Sequence, residues 1–469
     1  MAEYKMLIDG ALVDGDERLE VINPATGKVL ASAPRASAAQ AEQAIAAAKA
    51  AQPGWAATPL ADRREMLHRF ADAIDARAEE IARTLVQEQG KSLAEAAGET
   101  AYAAIFVRTF ADMEMPVETV QDDDAFTIEV HHKPLGVVAG ITPWNFPVLI
   151  PSYKIAPALL LGNSFVLKPA PTTPLVSLIL GEIAAGIFPA GVLNVIVDDN
   201  DLGPMLTVHP DIAKVSFTGS TPTGRRIMQS SADTLKRLTL ELGGNDAGIV
   251  LDDADVPAAA KGIVASAFGN AGQVCIALKR LYVPSSLYDD MCAALVAEVQ
   301  QIAVGDGLEQ GTTMGPMQNK AQYEKARHYM DIAKCDGRIL CGGELPEGDG
   351  LFVEPTVVAD IADGSPLVDE EQFAPILPVI SYDDAALDAV IEKVNASEFG
   401  LGGSVWSTNV DRARAVAQRV ESGTVWINHA THFGPHIPFA GAKQSGIGSE
   451  FGRDGLYEFA QKSVISVAK

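Results

Sequence analysis

Val215-Ser216-Phe217-Thr218-Gly219-Ser220-Thr221-Pro222-Thr223-Gly224 reads as an apolar strand, a tight turn and the first turn of a helix. Gly219 permits the turn, Ser220 or Thr221 can cap the helix, and Pro222 is tolerated in a first turn, where its missing N–H is not needed. The free N–H groups of such a helix start face an anion, and a pyrophosphate suits them. The spacing is not GxGxxG, and taken alone an ordinary strand-to-helix turn accounts for it. Around this stretch, apolar strands at 136–141, 164–167, 192–197, 214–217 and 237–240 alternate with helical segments. That alternation is the mark of a doubly wound parallel sheet, whose ligands bind beyond the carboxyl ends of the strands.

Upstream, residues 38–51, 62–88 and 92–112 read as Ala-rich amphipathic helices, with Pro53-Gly54 and Gly90 as breaks. Downstream, a second alternating region spans 247–440, with strands near 247–251, 281–283, 379–382, 401–405 and 424–428, and predicts a second α/β domain. Residues 126–133 and 463–468 are outlying strands, each suited to extending a partner's sheet edge.

A chain of 469 residues with 48% hydrophobic residues has ample core for two or three domains. Its formal charge of −25 repels nucleic-acid phosphates and anionic membrane surfaces, so neither is expected as a partner. Cys275, Cys292, Cys335 and Cys341 make no disulfide framework and fit a reducing cytoplasm. The N-terminus lacks the form of a secretory signal, and the apolar stretch 135–167 is too interrupted by Pro143, Asn145, Pro147, Pro151, Lys154, Pro157 and Asn163 to be a transmembrane helix.

Chemistry concentrates in two glycine-rich segments, Leu240-Glu241-Leu242-Gly243-Gly244-Asn245 and Phe268-Gly269-Asn270-Ala271-Gly272-Gln273-Val274-Cys275. Glycines let backbone approach a ligand closely, while Cys and Glu supply a soft nucleophile and a proton acceptor. Singly, each has a plain alternative: a small buried hydrophobe for Cys275, a solvated helix surface for Glu241.

Five more segments accompany them: Asn23-Pro24-Ala25-Thr26-Gly27, Thr142-Pro143-Trp144-Asn145-Phe146-Pro147, Leu167-Lys168-Pro169, Glu370-Glu371-Gln372-Phe373, and Pro438-Phe439 through Lys443-Gln444-Ser445-Gly446. In order and approximate spacing, over almost the whole chain, the set resembles the aldehyde dehydrogenase superfamily. The resemblance implies an aldehyde dehydrogenase-like α/β fold. A Rossmann-type doubly wound NAD(P)-binding domain would comprise 1–117 and 134–246, a second α/β catalytic domain 247–446, and small oligomerisation strands 118–133 and 455–469.

By the same resemblance Cys275 is the nucleophile, and Asn145 with the Cys275 backbone N–H forms the oxyanion hole. Glu241 activates water against the thioester, and Glu450 is a second carboxylate for proton relay, with a surface Glu as its alternative. Lys168 matches the lysine on the adenosine ribose, Glu371 the carboxylate on the nicotinamide ribose, and Phe373 the ring beside it. Trp144 and Ser220 would contact the pyrophosphate, with Gly219, Thr142 and Leu242 completing the cofactor set. Pro171 stands where NAD-preferring members often have Glu. A carboxylate there binds the ribose and repels the extra phosphate of NADP; Pro171 supplies neither effect and leaves selectivity open, with NAD expected and NADP tolerated. Ala374 and Ala440, where many relatives have Gly, remove no catalytic group.

Relatives acting on carboxylated aldehydes present Arg at the positions of Tyr153 or Gly269, so no guanidinium fork is available here. The resemblance instead lines the tunnel with Phe146, Ile150, Tyr153, Val274, Ile276, Phe433 and Phe439, suited to an uncharged aliphatic or aromatic aldehyde. His429, His432 and His436 lie in the approaching loop, too loosely spaced to suggest a metal, and one of them could donate to a substrate oxygen. The expected reaction is oxidation of an aldehyde to the acid through a cysteine thiohemiacetal and thioester, in a homodimer or homotetramer. Three alternatives stand beside it: a CoA-acylating dehydrogenase, which has no need of Glu241; a succinate-semialdehyde dehydrogenase; and a catalytically silent binding or structural protein, which has no need of Cys275, Glu241, Asn145 and Lys168 together.

Overall fold

The alternating strands resolve into two separate sheets in the computed structural model, which describes residues 3–469. The first has eight strands, in spatial order Ala11–Val13, Met6–Ile8, Leu193–Val195, Ser164–Lys168, Val137–Ile141, Ile212–Thr218, Arg237–Glu241 and Gly446–Ile447. From Leu193–Val195 to Arg237–Glu241 the strands are parallel, and the chain order reverses between Val137–Ile141 and Ile212–Thr218. A crevice therefore opens beyond their carboxyl ends at that point. The strands at both margins run antiparallel, and none of these was expected from the sequence: Met6–Ile8 and Ala11–Val13 on one side, Gly446–Ile447 on the other.

The second sheet has seven strands, in order Arg338–Cys341, Thr356–Ala359, Ile376–Tyr382, Leu278–Pro284, Asp246–Val250, Gly402–Trp406 and Thr424–Ile427, parallel except for the antiparallel edge Arg338–Cys341. Each sheet has its own apolar core. A third sheet pairs Ala460–Ala468 with Phe126–Pro134 along their full nine residues and adds Glu118–Asp122. Its Phe126, Val464, Ile465 and Val467 are exposed.

Two helix boundaries differ from expectation. Pro53-Gly54 ends nothing: the helix Ala38–Ala57 runs through it, started by a capping box between Ser37 and Gln40. Proline costs this helix a backbone bond, but buried Trp55 donates its indole N–H to the Leu159 carbonyl at 3.0 Å and anchors the last turn. The stretch 62–88 is two helices, Leu60–Ala76 and Ala78–Gln89, parted at Arg77 without any Gly or Pro. There Arg77 binds Glu80 and Glu182. Gly90 does end its helix, in the left-handed region at φ 104°. Among the described residues no helix is long and apolar enough to cross a membrane.

Glu88 joins the helical layer to the first sheet. Its carboxyl accepts the backbone N–H groups of Leu175 at 2.7 Å and Val176 at 2.9 Å, capping the helix Leu175–Ala185, whose own Pro174 supplies no side-chain cap. Burial pushes its pKa up to about 8, against the lowering effect of those two N–H bonds. A carboxyl raised on folding supports the fold fully below the ordinary carboxylate range and progressively loses that contribution as pH climbs toward its folded value. The urea midpoint should therefore fall between pH 6 and pH 9, and Glu88→Gln, which does not ionise, should flatten that fall.

Candidate active site

Glu241 and Cys275 approach each other from the two sheets, close enough for the carboxyl to act on the thiol. Glu241 closes the strand Arg237–Glu241 of the first; Cys275 precedes the strand Leu278–Pro284 of the second. Glu241 is buried, and neither carboxyl oxygen has a hydrogen-bond partner. Burial and the charge of Glu450 hold its pKa well above the usual range, with Lys154 opposing. Burial also pushes the Cys275 thiol up to about 12, helped by Glu241, Asp246 and Glu371 and opposed by Lys279. Burial thus disfavours the charged form of both groups, and positive charge beside them would oppose that effect.

The loop that delivers Cys275 is strained: Asn270 and Ala271 sit at φ 49° and 55°, a region few non-glycine residues adopt. Hydrogen bonds hold it there. Asn270 donates through its backbone N–H to Glu95 at 2.7 Å and through its side chain to the Asn145 carbonyl at 3.1 Å, while accepting from Gln89 at 3.0 Å. Asn145 is buried and spends one side-chain N–H on the Gln273 carbonyl at 3.0 Å, leaving its second N–H over. The Asn145 carbonyl also accepts from Lys91 at 3.0 Å. Lys91 is buried, pairs with Glu99 at 2.5 Å and lies 4.1 Å from the centre of the Phe146 ring. Glu99 in turn accepts the N–H groups of Val148 and Leu149 and so caps the helix Leu149–Leu160.

Glu450 is no surface residue. It is buried, 2.5 Å from Lys154 Nζ, and Lys154 also donates to Ser216 at 2.8 Å.

A cavity of about 870 Å³ lies beyond the parallel strands, and Thr142, Trp144, Lys168, Gly219 and Ser220 all line it, with Pro171. No Asp or Glu does, despite the acidic chain. The helix Thr221–Ser231 starts at its wall with no side-chain cap, so first-turn N–H groups await an acceptor. Thr142 and Thr172 present buried hydroxyls without partners. These are the features of an anion- and hydroxyl-bearing ligand site, and a dinucleotide fits them. Lys168 has a partner that sequence reasoning missed, Asp198 at 2.5 Å. Leu242 does not line the cavity; it packs beneath Gly224, where an added Cβ would lie 2.6 Å from it. Glu371 accepts the Gly244 N–H at 2.9 Å, and the Phe373 and Trp144 rings meet edge-on at 5.6 Å.

A second cavity, about 370 Å³, is lined by Phe146, Val274, Ile276 and Phe433, as expected, and by Tyr102 and Ile105, which were missed. Ile150, Tyr153 and Phe439 are buried and lie outside that lining. Tyr153, Phe433 and Phe439 pack around Phe451, another missed residue, with ring centres 4.8, 6.0 and 5.6 Å away. Tyr102 and Phe106, four apart on one helix face, were the signal for this aromatic wall. The lining charges are the Lys91–Glu99 pair and Glu95, with no arginine. His429 and His432 contact each other at 5.8 Å and, like His436, are exposed outside the lining.

A model of the aldehyde dehydrogenase family matches residues 12–465. The chain is 40% identical over 477 residues to the betaine aldehyde dehydrogenase of Rhizobium etli, covering 99% of this chain and 96% of that one. It is 38% identical over 464 residues to the NADP(+) succinate-semialdehyde dehydrogenase GabD of Escherichia coli, covering 97% and 96%. A crystal structure of betaine aldehyde dehydrogenase from Staphylococcus aureus in complex with NAD+ matches with a TM-score of 0.95 at 34% identity, over 99% of this chain and 94% of that one. Fold and site thus define an oxidoreductase that acts on aldehydes. The chain belongs to the aldehyde dehydrogenase family.

Lys91 and Glu99 tie the two halves of this site together, so Lys91→Met leaves a buried carboxylate unpaired. It should destabilise the protein by about 3–5 kcal/mol, measured by chemical denaturation, and Lys91→Met/Glu99→Gln should recover a large part of the loss.

Proposed function

We propose that this protein oxidises an uncharged aliphatic or aromatic aldehyde to its carboxylic acid with NAD(P)+, and that the single observation carrying the mechanism is the partnerless buried carboxyl of Glu241 beside Cys275. The nicotinamide, when bound, accepts hydride and brings positive charge. In this reading Cys275 Sγ attacks the aldehyde carbon, and the spare N–H of Asn145 with the backbone N–H of Cys275 stabilises the developing oxyanion; each such donor is worth roughly 3–4 kcal/mol. Loss of hydride leaves a thioester. Glu241 takes a proton from water, whose oxygen displaces the sulfur, a role typically worth about 10²–10⁴ in rate. Lys168, Ser220, Gly219, Thr142 and Trp144 would hold the dinucleotide, with Glu371 and Phe373 at its nicotinamide end. Pro171 supplies no carboxylate against an extra phosphate, which supports acceptance of NADP beside NAD.

The substrate reading rests on the second cavity, which offers aromatic surface and Glu95 but no arginine to pair with a carboxylate or sulfonate. We read 1–117 with 134–246 as the cofactor domain, 247–446 as the catalytic domain, and the strands within 118–133 and 455–469 as the surface of a homodimer or homotetramer, supported by the exposed apolar residues there. Four free cysteines support a reducing, cytoplasmic setting.

Cofactor reduction against a panel of aldehydes without CoA tests this. Uncharged aldehydes should outperform succinate semialdehyde, and Cys275→Ser should abolish turnover. Glu241→Gln should keep a first burst of reduced cofactor but lose steady turnover by about 10²-fold or more. Because the Glu241 pKa is raised, steady turnover should increase as pH climbs above the ordinary carboxylate range.

A further inference from the structure

Lys279 is buried and has no carboxylate partner among the described residues, whereas Lys91, Lys154, Lys168 and Lys214, also buried, each pair with one. Its ammonium donates to the Gly272 carbonyl at 2.7 Å and lies 5.1 Å from the centre of the Phe373 ring, which leaves two N–H groups over. Asp246 is the complementary case. It is buried too, and one carboxyl oxygen accepts the Gly402 N–H at 3.1 Å while the other has no partner. An unpaired charge inside a protein is destabilising, and apolar side chains of the same volume avoid that penalty. Two half-satisfied groups of opposite charge on adjacent strands therefore need a reason to be there.

Both flank the segment that carries the sulfur. Lys279 follows Cys275 by four residues and reaches back to Gly272, three residues before it, so its side chain spans the turn 272–275. The Lys279 backbone is fixed as well, its carbonyl accepting the Gln372 amide at 3.0 Å, which joins the turn to the stretch 371–373. Gly272 has no room to drift: at φ 72°, an added Cβ would lie 2.4 Å from the Ala374 carbonyl oxygen. On the other flank, Asp246 begins the strand beside Leu278–Pro284 and stands opposite Leu278. The Cys275 carbonyl oxygen and Asp246 Oδ1 crowd the same face of Gly244, 2.5 and 3.0 Å from where a Cβ would stand.

We propose that Lys279 and Asp246 are an opposed pair of charges that sets the reactivity of Cys275: Lys279 holds the turn and favours the thiolate, and Asp246 restrains it. The inference rests on Cys275 being the nucleophile. Both are positioning residues, acting through the sulfur. The groups that face the thiol are Glu241, Asp246 and Glu371, which raise its pKa, Lys279, which lowers it, and Tyr153. Lys279 faces Glu371, Asp246 and Cys275, with Lys325 as a competing cation, and burial brings its pKa down to about 8. Asp246 faces Lys279, Glu371 and Arg280, and burial pushes its pKa up to about 7. Each group thus resists its own charge, and removing either one shifts the balance at the sulfur in the opposite sense to removing the other.

Alkylation of the cofactor-free enzyme by iodoacetamide, followed across pH by mass spectrometry of the Cys275 peptide, reads that balance without substrate or turnover. Lys279→Met should slow the reaction near neutral pH about tenfold, the equivalent of one pKa unit. Asp246→Asn, which keeps an oxygen to accept from Gly402, should speed it about threefold, and the double variant should return toward the wild-type rate. A purely structural role moves both single variants the same way. The proposal is overturned if either folded single variant fails to shift in the stated direction. Should Lys279→Met not fold by circular dichroism, Asp246→Asn decides alone: acceleration supports the pair, and an unchanged or slower rate overturns it. Cys275→Ser separates the two readings. Persisting aldehyde turnover in that variant defeats the nucleophile itself, whereas lost turnover beside unshifted Lys279→Met and Asp246→Asn profiles defeats only the charge pair.

Discussion

One buried ion pair, Lys91 with Glu99, is the contact on which the geometry of the site depends. Through it the end of the helix Ala78–Gln89, the helix Leu93–Asp112, the turn at Asn145 and the start of the helix Leu149–Leu160 become a single body. Gln89, just before the pair in sequence, and Glu95, between its two members, fasten the backbone at Asn270 in its left-handed conformation. Charges so deeply buried tolerate little displacement, because each would be left uncompensated. Asn145 is therefore held through its own backbone carbonyl, and the loop leading to Cys275 through Asn270.

Much of the fold was legible because its central strands are short, fully apolar and separated by helices, a pattern with few other solutions. The glycine-bearing turns at Gly219, Gly243 and Gly272 were equally visible, since close backbone approach leaves few alternatives to glycine. What could not be read depends on partners distant in sequence. Lys91, Glu99, Asp198 and Glu450 look like solvated charges until the fold brings each its counter-ion. Phe451 follows Glu450 in a polar-looking segment, yet it is the centre of an aromatic cluster drawn from four parts of the chain. The marginal antiparallel strands are only two or three residues long, below the length at which periodicity speaks. Tertiary anchoring decided the two helix boundaries as well: Trp55 holds a turn across Pro53, and Arg77 parts a run that lacks any breaker residue.

The two cavities divide the electrostatics of an acidic protein. The larger is free of carboxylates and carries Lys168 and Arg226, so it favours an anionic ligand against the field of the whole chain. The smaller balances one ion pair and adds Glu95, which disfavours anions there. Neighbouring sites thus select opposite charge characters through a handful of placements.

The carboxyl groups gathered around Cys275, which push its thiol upward, bear on the chemical lifetime of that sulfur. Peroxides and alkylating electrophiles react with thiolate far more readily than with thiol. Burial and the carboxyl groups around this sulfur favour its thiol over its thiolate, and to that extent make it a poorer target. Residues gathered around a sulfur for one purpose thus also set how readily it is oxidised.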